Sequence, residues 1–193
     1  MTSRDLSLEQ RLLDAVLADP VCAAILDRMP QLGLPEWWLT AGAVFQNVWN
    51  QVEGLSPGRG IKDYDVFYFD ATDLGWGAED AVIRKAKLLF DDLPGHVEVR
   101  NQARVHLWYQ AKFGVVATPF ISATDAIDSF ASTTCSVGVT RAFQGFRVHA
   151  PYGLEDVFAM HVRPHRRLAP REVYETKVRQ YQQRWPTLTS EPW

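Results

Sequence analysis

The chain has 193 residues, enough for one domain with a sizeable core, and its net charge of −3 argues against a general nucleic-acid-binding protein, which would need clustered Lys and Arg. Its two cysteines, Cys22 and Cys135, are far apart and form no CxxC, which excludes a disulfide scaffold and a cysteine zinc site. Met1–Asp5 lacks a leader signature and no apolar run nears the roughly 20 residues that span a bilayer, so the expectation is a soluble, cytoplasmic protein with no membrane partner.

Ser7 is placed to cap a helix whose apolar stripe runs through Leu8, Leu12, Leu13, Val16 and Leu17, and Pro20 closes it. A second amphipathic helix over Val21–Met29 ends before the turn region Pro30–Pro35. Residues 1–36 therefore read as an N-terminal helical layer, and residues 37–193 as the main domain, the two forming one unit. Trp37–Thr40 reads as a short buried strand, Ala41-Gly42-Ala43 as a tight turn, and Val44–Val52 as the helix that leaves it. The Gly- and Pro-rich stretch Gly54–Gly60 is a loop that delivers the chain to a strand opening at Asp63.

A helix follows over Ala78–Asp91, and Pro94-Gly95 ends it. From Val97 to Tyr109 apolar and polar residues alternate, with Glu98, Arg100, Arg104 and His106 sharing one face, which predicts a strand. Asn101 interrupts the apolar face, so a bend or two consecutive strands can replace one long one. Ser122–Asp125 resembles a capping box opening a helix toward Phe130; Thr134–Arg141 and Phe146–His149 read as a hairpin around Gln144-Gly145; Gly153–Met160 and Pro170–Trp185 read as the last helices. The order of elements implies an α/β or α+β domain: a mixed sheet with helices on its outer layers.

The chemistry concentrates at Lys62-Asp63-Tyr64-Asp65, which opens the apolar run Val66–Phe69. Two carboxylates two apart on a strand face the same way and together suit a hard divalent cation, which takes one or two protein carboxylates and fills its shell with water and phosphate oxygens. A solvated strand entry is the plain alternative, and Asp-x-Asp alone favours it. The apolar continuation of the strand argues the other way, because carboxylates at the start of a buried strand are costly without a cation or donors. Glu98 is the best third carboxylate; Asp70 and Asp73 lie at the mouth of a turn. His161 and His165 have metal-pair spacing, but Pro164 breaks the helix that spacing requires, and the basic run Arg163–Arg167 reads as a solvated loop.

The strand, Gly-containing turn, helix, loop and Asp-x-Asp strand resemble the nucleotidyltransferase superfamily related to DNA polymerase beta, and within it the small bacterial nucleotidyltransferase-like proteins of unassigned substrate. The residues carrying the likeness are Ala41-Gly42-Ala43-Val44 with Asn47 and Trp49, Asp63 to Asp70, Val99 to His106, Ala150 to Asp156, and Lys177 with Trp185-Pro186. The resemblance implies a nucleotidyltransferase-like mixed β-sheet flanked by helices, with added N-terminal and C-terminal helices. It implies a magnesium-dependent enzyme that takes a nucleoside triphosphate and an acceptor of unknown identity. Asp63 and Asp65 would hold the Mg2+, Asp63, Asp65 and Glu98 would be the catalytic acids, and Gly42, Ala43, Lys62, Arg100 and Arg104 would meet the nucleotide. The superfamily turn usually reads Gly-Ser or Gly-Gly, so Ala43 removes a hydroxyl that could hold a phosphate oxygen. A non-catalytic nucleotide-binding or interaction module on the same fold is the alternative this departure raises; nucleic acid is the less expected partner.

Overall fold

The computed structural model describes residues 7–193; Met1–Asp5, read above for a leader, lies outside them. Helix α1 (Leu8–Ala18) begins at Ser7, whose hydroxyl accepts from the Gln10 amide, and α2 (Pro20–Arg28) begins at Asp19, with Pro20 in the first position, where its missing N–H costs nothing. Strand β1 (Trp37–Thr40) leads through Ala41 into α3 (Gly42–Val52), and β2 (Asp63–Tyr68) follows the Gly-rich loop. Helix α4 (Trp76–Leu89), β3 (His96–Asn101), and short helices α5 (Tyr109–Phe113) and α6 (Ala123–Ile127) come next. The hairpin β4 (Gly138–Arg141) and β5 (Phe146–His149) precedes α7 (Glu155–Phe158), β6 (His161–Val162), α8 (Arg171–Arg184) and β7 (Thr189–Ser190). No described helix is long and apolar enough to cross a membrane.

The main sheet has the order β3-β2-β1-β4-β5; β2 and β3 are parallel and the other neighbours antiparallel. It is a mixed sheet flanked by helices, as the sequence implies. Tyr64, Val66 and Tyr68 of β2 point into one core shared with α1, α2 and α3, while Phe67 packs on the opposite face beside Trp38, Ile127 and Phe130. Beyond the sheet, α8 docks on α3 through Phe45, Trp49, Tyr181 and Trp185, whose rings meet at 4.6–5.5 Å in tilted and edge-on arrangements. The indole N–H groups of Trp49 and Trp185 donate to the Val157 carbonyl and to Asn50 Oδ1, so both rings are buried without an orphan donor.

The long strand expected over Val97–Tyr109 is the one large correction. β3 stops at Asn101, and Gln102–Leu107 forms a 3-10 turn. Asn101 causes the break: its Oδ1 accepts from the amides of Ala103 and Asp70 and its Nδ2 donates to the Asp70 carbonyl, a local bonding set that competes with continued strand pairing. The two-residue strands β6 and β7, paired in parallel, and α5 are additions that periodicity does not register.

Candidate active site

A cleft of about 840 Å³ opens over the β2 and β3 face that carries Asp63, Asp65 and Glu98. Parallel pairing sets Asp65 opposite Glu98 and Phe67 opposite Arg100, so the carboxylates are brought together by register rather than by sequence. Asp63 opens β2 at the mouth with its side chain 61% exposed and His96 Nδ1 3.5 Å away. Asp65 lies deeper. Burial, then the neighbouring negative charges of Glu98 and Asp63, push its carboxyl up to about 7, against the pull of Lys177 and Arg100. Glu98 Oε1 accepts from Arg100 Nε at 2.8 Å, with Arg100 Nη2 also at 2.8 Å.

The raised Asp65 is the signature of a site with more negative charge than its own cations neutralise. A divalent cation would relieve it, and Asp63 and Asp65 are the oxygen donors such an ion takes. Among the described residues no group of three His, Cys, Asp or Glu is arranged around a common metal position, Glu98 being turned toward Arg100. The donor set thus fits a two-carboxylate site completed by water and phosphate oxygens.

The opposite wall is the start of α3. Val44 and Phe45 donate their amides to the Ala41 carbonyl, leaving those of Gly42 and Ala43 without an intrahelical acceptor, as at any helix start. Together with the helix dipole this makes an anion-attracting end. Ala41 turns the chain at φ 54° and ψ −139°, a conformation normally left to glycine. Ala43 itself is fully buried in the core, so a hydroxyl at that position would not face the cleft, and its absence removes nothing from the pocket wall.

Lys62 lines the cleft mouth. Arg104, assigned from alternation to the face of Glu98 and Arg100, lies instead in the 3-10 turn after β3, because the strand ends at Asn101. It lines the cleft wall, but its guanidinium is paired with the buried Glu79 of α4, donates to the Leu74 carbonyl at 2.9 Å, and lies 5.4 Å from the Trp76 ring. Two residues absent from the sequence-based site belong to it. Lys177 of α8 acts on Asp65, and Gln46 of α3 lines the cleft beside Gly42. Lys177 stood only as part of the family likeness; its α8 neighbours Val178 and Tyr181 are buried, a helical pattern that could have marked the remaining face.

The loop before β2 is held from beneath. Asp19, 1% exposed, accepts from the Val21 amide, Asn47 Nδ2 and the Tyr64 hydroxyl, while Asn47 Oδ1 accepts from the Gly58 amide. The length of chain between Gly42 and Asp63 is therefore an ordered wall tied to α3.

A family model described as nucleotidyltransferase matches residues 27–190. Among solved structures, the chain is similar to one whose description reads that the NMR structure of the protein reveals a CCA-adding enzyme head domain: 27% identity, TM-score 0.76, covering 95% of this chain and 96% of that one. No curated protein matches the sequence. The match spans the Gly42 turn, the Asp63 and Asp65 strand, Glu98 and α8, and the chain belongs to the nucleotidyltransferase family.

Proposed function

We propose that the protein is a magnesium-dependent nucleotidyltransferase that moves a nucleotidyl group from a nucleoside triphosphate to the hydroxyl of a small-molecule acceptor. The observation that carries the reading is Asp65, a cleft carboxylate raised to about 7 beside Asp63 and Glu98 and opposite a helix start with free amides. Nucleotidyltransferases generally use divalent metals, and Asp63 and Asp65 are the residues that would hold one here. When bound, such an ion neutralises phosphate charge and orients the reacting oxygens.

The chain's own residues then divide the work. The Gly42 and Ala43 amides receive phosphate oxygens, and Lys62, Arg100 and Lys177 supply positive charge around the triphosphate. The acceptor oxygen attacks the α-phosphorus; an oxygen–phosphorus bond forms as the bond to the pyrophosphate oxygen breaks. The acceptor proton passes to the Asp65–Glu98 pair, whose raised affinity for a proton near neutral pH suits a general base. A small acceptor rather than a nucleic acid is supported by the net charge of −3 and by the basic run, whose Arg163 is paired with Asp156 and Glu191 and Arg167 with Asp125.

The test is pyrophosphate release from each of the four ribonucleoside triphosphates over a panel of hydroxyl-bearing small molecules. A transfer RNA 3′ end is included because of the solved structure the chain is similar to. Turnover lost in Asp65→Asn supports the reading. Nucleotide binding without pyrophosphate release from any acceptor would make the protein a nucleotide-binding module instead.

A further inference from the structure

The first position of α3 carries no side chain, and Gln46 fills the space. A Cβ on Gly42 would lie 2.5 Å from Gln46 Nε2, so the carboxamide folds back one turn over the helix start, at the place where a side chain on residue 42 would stand. Gln46 is 9% exposed and lines the cleft. Its Oε1 is buried and has no hydrogen-bond partner among the described residues. Most buried side-chain amides are tied to a backbone group or another side chain. The Gln46 oxygen is not, so no bond from the protein to that atom fixes which way the carboxamide faces.

We infer that Gln46 is a phosphate-binding residue of this site: its side-chain N–H joins the amides of Gly42 and Ala43 in receiving an oxygen of the triphosphate. The inference rests on the reading that the start of α3 receives the triphosphate, and it deepens that reading by naming a side-chain donor. A carboxamide turned over a helix start adds a neutral donor where the dipole already draws anions, and a Gln donating to a phosphate oxygen makes a charge-assisted bond. A glycine at position 42 is what leaves room for it. The orphaned oxygen also sets Gln46 apart from a packing residue, since a buried acceptor without a donor costs stability and an apolar side chain of the same length would not.

The experiment measures binding of inorganic tripolyphosphate, and of ATP, CTP, GTP and UTP in turn, by calorimetry with magnesium present, alongside the thermal midpoint of each variant. Gln46→Met is expected to bind tripolyphosphate roughly 10-fold more weakly, the size of one hydrogen bond to a charged acceptor, and to melt no lower than wild type. Gly42→Ala puts a methyl group where Nε2 lies and should weaken binding similarly from a different residue; Gln46→Glu, with a like charge at the phosphate, should weaken it further. A folded Gln46→Met or Gly42→Ala protein that binds tripolyphosphate within about twofold of wild type overturns the role of Gln46 while leaving the nucleotide site standing. Wild-type protein that binds neither tripolyphosphate nor any of the four nucleotides overturns the functional reading and this inference with it.

Discussion

Asp65→Asn is the most informative single change, because it removes the ionisation that the cleft resists while keeping the side chain's shape. In the folded protein the Asp65 carboxyl rises from its ordinary 3.8 to about 7, chiefly through burial and the charge of Glu98. The folded state then holds a proton that the unfolded chain has released, so wild-type stability falls as pH rises from 3.8, and the loss is complete above about 7. At about 1.4 kcal/mol per pH unit the whole window amounts to at most ~4 kcal/mol, and screening by cleft water leaves about 2 kcal/mol between pH 5 and 8. Urea unfolding of wild type and Asp65→Asn at those two values isolates the term, since other titrating groups cancel in the difference. The variant should gain on wild type by about 2 kcal/mol over that interval, and millimolar magnesium should return the lost stability to wild type alone. A difference between the two proteins that does not change with pH, or one that favours wild type at pH 8, would refute the argument.

Asp19→Ala strips the acceptor from the Val21 amide, Asn47 and Tyr64 at a buried site, and should lower stability by about 3 kcal/mol in urea unfolding. Arg104→Met leaves Glu79 buried and unpaired, at a cost of about 3–5 kcal/mol. Adding Glu79→Met should recover most of it, a coupling read directly from a double-mutant cycle. Ala41→Gly relieves a positive-φ alanine and should raise stability by about 1 kcal/mol with an unchanged denaturant slope.

The site's two halves differed in how far the sequence exposed them. Asp63 and Asp65 were legible because a strand period of two forces them onto one face, and the Gly42 turn because a short apolar strand runs straight into an amphipathic helix. The hairpin was legible for a similar reason, with strands on both sides of Gln144-Gly145. Arg104 was misplaced because alternation was carried past Asn101, whose side-chain hydrogen bonds end the strand. Glu79 gave no signal, since a Glu on a helix reads as solvated until its Arg arrives from a distant turn. Lys177 and Gln46 were missed for a different reason: which face of a helix meets a cleft is decided by tertiary docking, here the aromatic contacts of Phe45 and Trp49 with Tyr181 and Trp185. Ala43 shows the converse, a departure from the family pattern that looked costly and turns out to face the core.

The central claim is that Asp63 and Asp65 let the cleft take a nucleoside triphosphate with a divalent cation. Calorimetric titration of the four nucleoside triphosphates, with magnesium and with a chelator, into wild type and Asp63→Asn/Asp65→Asn tests it most directly. The account predicts binding by wild type that requires magnesium and is lost in the double variant. Magnesium-dependent binding that survives unchanged in the double variant would contradict it.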